Sequence, residues 1–226
     1  MSAATNGRFG AFGKIPALGD FVRLNVSAGF VQPWDAWMQE GMIEVRAALA
    51  EAWDDAYMSA PMWRFTLPKG VAGDTGMMGL FMASVDRVGR QYPLTLATPT
   101  DATDTALSHF ANASLFEHLE QIALSMLDDG NTREVLAGAL EPLGPMPPLP
   151  MHAPALPYAG PVPLEHMWAG QLLSQQTGGA TAIWSTAMDH DHRLMLTRGL
   201  PEGRNMRALF DLSPHAWGTQ DMAAHI

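Results

Sequence analysis

The chain contains no cysteine, which excludes a disulfide framework and a zinc ribbon and fits a reducing compartment. Long hydrophobic runs are also missing. Arg8, Lys14 and Asp20 interrupt the short apolar pieces near the amino terminus, and no later run approaches membrane-spanning length. We therefore expect a cytoplasmic protein with neither a signal peptide nor membrane insertion.

Basic residues are scarce, since 13 lysines and arginines stand against 23 aspartates and glutamates, and the net charge is −10. An acidic chain is a poor ligand for nucleic acid or an anionic membrane face, whereas basic partners stay open. Apolar residues are plentiful by contrast. They make up 47% of the 226 residues, which is enough to bury a substantial core in one large domain or two small ones.

Signatures of common enzyme classes are missing as well. The glycine-rich stretch GRFGAFGKIPALGDFVR, residues 7–23, suggests a phosphate-binding loop, but Arg8 and Ile15 stand where a Walker loop needs a glycine and a serine or threonine. The chain also has no GxSxG, SxxK or HExxH motif. We therefore expect no bound nucleotide and no cofactor, and the motifs point to no specific catalytic activity.

Several segments have the periodicity of helices. Apolar residues recur three or four apart over residues 34–57, which predicts an amphipathic helix with Pro33 in its first turn. A second helix is predicted over residues 104–128. Asn131 is predicted to cap a shorter helix, with Glu134 completing a reciprocal capping arrangement.

Other segments have the patterns of strands. Residues 62–68, 77–85 and 92–98 are predicted to be neighbouring strands of one sheet. After a long connection, the pattern predicts a helix at 164–176, strands at 181–186 and 193–197, and a last helix at 204–212. This order of elements indicates an α/β fold, with helices packed on both faces of a single sheet.

Two later stretches each have a structural and a functional interpretation. Residues 141–163 hold more than half of the 17 prolines, and a plain connection is favoured there over recognition by a polyproline-binding module. Residues 189–192 alternate aspartate and histidine, with His152 and His166 as loose candidates for the further ligands that a metal site needs. Neighbours in an extended chain point to opposite sides, so a solvated hairpin turn is favoured and no metal site is expected.

The polar cluster SVDRVGR, residues 84–90, follows an apolar strand. If Arg64 on the neighbouring strand lies close, Arg64, Arg87 and Arg90 are able to bind a carboxylate or phosphate, which gives an anion or partner site. The alternative is internal, with Asp86 pairing with an arginine and holding the turn. Both interpretations stay open.

The turn in residues 14–23 presents a similar choice. Lys14, Asp20 and Arg23 form a charged surface for a partner in one interpretation. In the other, Gly13 and Gly19 shape a turn in which Asp20 bonds to its own backbone.

Five stretches carry a family resemblance, and they occur in the order FGKIPALGDFVR, QPWDAWMQEGM, SAPMWRFTLPKGV, SVDRVGRQYPLTLAT and GLPEGRNMRALF. Together they resemble the TagF family, also called ImpM, of bacterial type VI secretion accessory proteins. The resemblance spans nearly the whole chain and is strongest over residues 10–98. Two departures are Ala83, where the family often has proline, and the single tryptophan at Trp184, where relatives often have two.

The resemblance implies one domain over residues 1–226, built as a three-layer α/β/α sandwich with a mixed sheet. It also implies a non-enzymatic, post-translational regulator that restrains a cytoplasmic component of the secretion system, such as a forkhead-associated scaffold protein. On this basis we expect a partner-binding surface that contains Lys14, Asp20, Arg23, Arg64, Asp86, Arg87 and Arg90. The rival functions are a small-ligand or phospho-ligand enzyme using Asp86 with the arginines, and a structural assembly factor.

Overall fold

Seven strands form one sheet in the computed structural model, which describes residues 7–144, 164–177, 181–188 and 191–217. The strands are β1 Gly10–Gly13, β2 Val22–Leu24, β3 Trp63–Leu67, β4 Gly76–Met82, β5 Leu94–Thr100, β6 Ala182–Met188 and β7 Asp191–Thr197. Their order across the sheet is β2-β1-β5-β4-β3-β6-β7. The proline-rich residues 145–163 and the pair 189–190 of the aspartate and histidine run lie outside the described residues.

Every pair of neighbouring strands is antiparallel, so the mixed sheet that the family resemblance implied is wrong. Short connections link β1 to β2, β3 to β4 and β4 to β5, and a short connection between consecutive partners requires antiparallel pairing. The long helical connections also return the chain in the antiparallel sense, since β6 pairs with β3.

Eight α-helices accompany the sheet in the described part of the chain. They are α1 Ala28–Leu49, α2 Trp53–Met58, α3 Thr105–Ala111, α4 Ala113–Ser125, α5 Arg133–Leu140, α6 Leu164–Thr177, α7 Arg204–Ala208 and α8 Pro214–Trp217. Short 3-10 turns lie at Ala50–Ala52 and Glu141–Leu143. No helix among the described residues is both long and apolar enough to cross a membrane.

The first helix begins earlier than its periodicity predicted. Ser27 caps it by accepting a hydrogen bond from the Phe30 amide at 3.3 Å, so Pro33 lies inside the helix rather than in its first turn. The helix ends at Leu49 because Ala50 has a φ of 49°, a conformation that cannot continue a right-handed helix.

The second predicted helix is two helices, α3 and α4, separated at Asn112. The Asn112 side chain donates to the Ser108 carbonyl at 2.7 Å, and such a local bond competes with the helical ladder. The cap of α5 is Thr132 and not Asn131. The hydroxyl of Thr132 donates to Glu134 at 2.8 Å, whereas the Asn131 amide donates to the Ser125 carbonyl.

Strand residues alternate between two apolar clusters, one on each side of the sheet. The first cluster contains Trp34, Trp63, Phe65 and Trp184 and receives α1 and α7. The second cluster contains Met78, Leu80, Leu96, Phe116 and Leu119 and receives α4 and α5. Because side chains alternate along a strand, β3, β4 and β5 each hold residues on both sides.

Candidate docking surface

The segment between β1 and β2 forms a compact turn that places Lys14 beside the sheet. Gly13 has a φ of 135°, and a Cβ on this residue would overlap the Pro93 carbonyl oxygen, so only glycine fits here. The Leu18 amide donates to the Ile15 carbonyl at 3.1 Å and closes the turn. The glycine and the closed turn therefore fix the position of Lys14 directly after β1.

The segment between β4 and β5 forms a second tight turn, and it lies at the same end of the sheet. The Asp86 amide donates to the Arg90 carbonyl at 3.1 Å, and the Gly89 amide donates to the Asp86 carbonyl at 2.8 Å. Gly89 has a φ of 82°, the left-handed conformation that favours glycine in such turns. Asp86 thus lies at the base of the turn, and its side chain points toward the amides of Val88 and Arg90.

Both carboxylate oxygens of Asp86 are occupied. Oδ1 accepts from the backbone amides of Val88 at 3.1 Å and Arg90 at 2.9 Å. Oδ2 accepts from Lys14 Nζ at 3.0 Å and from Arg90 Nε at 2.6 Å. Asp86 therefore pairs with Arg90 and holds its own turn, which is the structural alternative that the sequence offered, and Lys14 is an additional partner.

This environment keeps the carboxylate charged. Burial by itself would raise the pKa of Asp86, but the hydrogen bonds from the Arg90 amide, the Lys14 ammonium, the Arg90 guanidinium and the Val88 amide lower that pKa well below its usual value. The Lys14 side chain is only 9% exposed, and its ammonium lies 5.4 Å from the centre of the Phe21 ring. The pair is therefore a fixed ionic contact rather than a proton donor and acceptor.

Two backbone contacts join the turns to each other. The Arg87 amide donates to the Leu18 carbonyl at 2.9 Å, and Arg90 Nη2 donates to the Gly19 carbonyl at 2.6 Å. We call residues 14–23 and 84–90 together the two-loop surface. Its exposed side chains are Asp20, Phe21, Arg23, Arg87, Val88 and Arg90.

Arg64 does not belong to this surface, although the sequence placed it there. Its guanidinium forms a bidentate pair with Glu120 of α4, at 2.7 and 2.8 Å, and lies 5.6 Å from the centre of the Phe116 ring. Trp63 and Phe65 face the first apolar cluster, so Arg64 between them faces the side of α4. Arg64 and Asp86 therefore do not converge on one ligand.

An aromatic group that sequence reasoning missed supports the first loop. Phe21 stacks on Phe12 with ring centres 5.4 Å apart and meets the edge of Tyr92 at 4.7 Å. The Tyr92 hydroxyl donates to Asp35 of α1 at 2.8 Å, and burial together with this carboxylate raises the pKa of Tyr92. No spacing in the sequence brings Asp35 to Tyr92, since the contact depends on how α1 crosses the sheet.

A second missed group is a buried polar row of Thr66, His109 and Ser185. His109 Nδ1 lies 2.9 Å from the Thr66 hydroxyl, and Nε2 lies 2.7 Å from the Ser185 hydroxyl. Burial, with the nearby Arg64 charge, lowers the pKa of His109 to about 3. An imidazole that resists protonation in this way is a poor general base for Ser185, so the row satisfies buried polar groups beneath α3.

Metal ligation finds no support within the described ranges. No group of three or more histidine, aspartate or glutamate residues there is arranged to hold an ion. Of the sequence candidates, His152, Asp189 and His190 lie outside those ranges.

The residues that form β1 to β5 and both loops match a known class of proteins, which is associated with type VI secretion. A family model described as the TagF N-terminal domain, type VI secretion system-associated, matches residues 10–143. The chain therefore belongs to the TagF family. Both loops lie within the matched residues, and no curated protein matches the sequence.

A solved structure supports the same assignment. The chain is similar to PA0076 from Pseudomonas aeruginosa PAO1, known from a crystal structure, with 31% sequence identity and a TM-score of 0.75. The match covers 91% of this chain and 94% of that one, so the likeness includes the fold beyond residue 143.

Proposed function

We propose that this chain is a non-enzymatic regulator of a bacterial type VI secretion system, which acts in the cytoplasm by binding and restraining another component. The partner in this proposal is a forkhead-associated scaffold protein. The observation that carries it is the joining of two separate polar stretches into one surface, through the contacts of Arg87 with Leu18 and of Arg90 with Gly19. A surface that is held rigid before contact loses little conformational entropy on binding.

The exposed side chains of the two-loop surface suit a protein partner. Arg87 and Arg90 are exposed, and they lie near the partly exposed ring of Phe21 and the apolar tip at Val88. Arginine and aromatic side chains are the residues that most often contribute binding energy in protein interfaces. We infer that Arg87 and Arg90 contact carboxylates of the partner while Phe21 and Val88 become buried.

The state of Asp86 favours binding over catalysis. A small-ligand or phospho-ligand enzyme at this place would need a carboxylate free to exchange a proton and several guanidinium groups around one cavity. Four donors occupy Asp86, and Arg64 is engaged with Glu120 instead. We therefore assign Asp86 and Lys14 to holding the surface in shape, and no observation favours a structural assembly role.

The sheet provides the support for this surface. We propose that α1 and α7 on one side and α4 and α5 on the other make a three-layer α/β/α sandwich around it, which fixes the ends of β1, β4 and β5 from which both loops emerge. In this arrangement the loops cannot move apart without breaking the Lys14 and Asp86 contact.

The test is capture of the purified forkhead-associated protein by the wild-type chain, by Arg87→Glu and by Lys69→Glu. Arg87 is exposed and forms no ion pair within the described chain, so its reversal changes the docking surface without breaking internal contacts. Lys69 is equally exposed but lies at the opposite end of the sheet, after β3. We expect Arg87→Glu to weaken capture by about tenfold or more, through loss of a charge-assisted contact and a new repulsion.

Equal capture by the two variants would remove the two-loop surface as the docking site. Failure of the wild-type chain to capture the forkhead-associated protein would reject that partner. Circular dichroism of each variant provides the control for folding.

A further inference from the structure

A groove runs beside the two-loop surface, between α1, α2 and the loop that joins β4 to β5. Its volume is about 710 Å³, and Ile43 and Met58 on its rim are 70% and 61% exposed. Buried Trp53 and Tyr92 contribute to its lining. Large apolar side chains that are exposed next to one another around a depression are typical of an interaction site.

Internal hydrogen bonds hold the groove open. Trp53 Nε1 donates to the Gln91 side-chain oxygen at 2.6 Å, and the Gln91 amide donates to Asp54 at 3.0 Å. The Tyr57 hydroxyl donates to the Ser84 carbonyl at 2.7 Å. These bonds tie α2 to the loop between β4 and β5, so the groove exists before any ligand arrives.

Two arginines and one aspartate are the charged residues that line the groove, so positive charge is in local excess. Asp54 accepts from the neutral Gln91 amide and stays charged, and Arg90 pairs through Nε with the buried Asp86, which leaves its outer guanidinium nitrogens facing solvent. Arg46 forms no ion pair within the described residues, and the Arg90 side chain is 61% exposed. In a chain of net charge −10, this local cationic rim attracts acidic groups.

The groove is continuous with the two-loop surface. Arg90 belongs to both, because its guanidinium contacts Gly19 while the residue lines the groove. Specific protein interfaces bury about 800 Å² on each partner, which is more than two short loops usually supply. A partner that docks at the two loops therefore needs further contact area, and the groove adjoins the loops at Arg90.

From these observations we propose that the groove binds an amphipathic segment of the partner protein, in which apolar side chains are flanked by aspartates or glutamates. The apolar side chains bury Ile43 and Met58, and the carboxylates pair with Arg46 and Arg90. This inference rests on the proposed function, since it names the part of the partner that the regulator recognises. Grooves of this kind commonly receive one apolar face of a helix.

Photo-crosslinking in cells tests this inference separately from the proposed function. Benzoylphenylalanine is placed at position 43 in the groove, at position 88 on the two-loop surface, where it replaces the exposed apolar Val88, or at position 124 as the control. Leu124 is an exposed apolar residue of α4, whose neighbours in the helix face the second cluster on the other side of the sheet. Mass spectrometry then identifies the peptide joined to each position.

We expect position 43 to crosslink to a partner peptide that contains apolar and acidic residues, and position 124 to give no such product. Crosslinks to the partner from position 88 alone would overturn the groove and leave the proposed function standing. Crosslinks from neither position would reject both. A product joining two copies of this chain through position 43, or a captured peptide without acidic residues, would also overturn the inference.

Affinity measurements with the captured partner provide a second readout. We expect the double change Ile43→Ser with Met58→Ser to weaken binding about tenfold or more, because two apolar side chains no longer become buried. Arg46→Glu should also weaken binding, and the loss should be larger at low salt than at high salt because salt screens exposed charges. Leu124→Ser should have no effect, and an equal loss in that variant would contradict the proposal.

Discussion

Asp86 is the residue on which the shape of the two-loop surface depends. It accepts bonds from its own turn through Val88 and Arg90 and from the other loop through Lys14. Lys14 is nearly buried, so without Asp86 its charge would keep only the long contact with the Arg90 carbonyl, at 3.4 Å, beside the Phe21 ring. The acid that looked like a functional group in the sequence therefore acts by positioning the exposed arginines.

His109 makes stability depend on pH. The unfolded chain binds a proton near pH 6.5, whereas burial keeps the folded imidazole neutral until its pKa of about 3. Because the unfolded state then holds more protons, the free energy of unfolding falls as the pH drops from about 7 to about 5, by at most about 1.4 kcal/mol for each pH unit. Urea denaturation at several pH values measures this slope.

The matched variant is His109→Leu, which removes the titrating group from the same buried position. We expect the variant to be less stable, since Thr66 and Ser185 lose their partner, but to lose the slope between pH 7 and pH 5. The carboxylates with lowered pKa values, Asp86, Glu134 and Asp211, titrate in the unfolded chain only at lower pH. An unchanged slope in the variant would show that another group causes the dependence.

The strands β4 and β5 lie so close together at Gly79 that a larger residue does not fit between them. A Cβ on Gly79 would overlap the Leu96 carbonyl oxygen and approach the Ala97 Cα to 2.8 Å, and both atoms belong to the neighbouring backbone. Gly79→Ala must therefore push the two central strands apart. We expect a loss of about 3 kcal/mol in the free energy of unfolding, measured by urea denaturation.

Gly138→Ala is the control for this change, since a Cβ there meets nothing within 4 Å and the residue lies inside helix α5. Alanine is the better helix former, so we expect a gain of about 0.5 to 1 kcal/mol. Similar losses from the two substitutions would mean that the strand contact is not the cause.

Periodicity predicted most of the helices and strands, but not β1 and β2, and the ends of the elements depend on single residues. Residues 62–68 alternate clearly and become β3, and residues 164–176 become α6 with one residue added. The breaks at Ala50 and Asn112 follow from a backbone angle and from a side-chain bond to Ser108, which apolar spacing does not report. Pro33 lies in the interior of α1, where it has no amide to donate to the Gly29 carbonyl, so proline did not mark the first turn of this helix.

The sequence marks two separate loops as candidate sites, and only the fold shows that they form one surface. The glycines and charges of residues 14–23 and 84–90 mark both loops in the sequence. Their contact depends on β1 pairing with β5, which brings together residues that are far apart in the chain. Arg64 lies on the strand next to β4, as expected, but its side chain faces α4 and pairs with Glu120, a direction that nearness in the sheet does not reveal.

In the whole molecule, the same sheet contributes side chains to both apolar clusters. β4 gives Met77 and Phe81 to the first cluster and Met78 and Leu80 to the second. Unfolding of these strands exposes both clusters at once, because the same backbone carries the side chains of each. The clusters should therefore unfold as a single cooperative unit, although their helices share few contacts.

Leu119→Ala tests this coupling, because Leu119 is fully buried in the second cluster while Trp34, Trp63 and Trp184 lie in the first. The cavity left by the shortened side chain should cost about 2 to 5 kcal/mol. If the sheet couples the clusters, the fluorescence transition of these tryptophans moves to lower urea by the same amount as the loss of helix followed by circular dichroism. A fluorescence midpoint that stays in place while the helical signal shifts would show that the two sides unfold independently, and the sheet would then not be the rigid support that the docking surface needs.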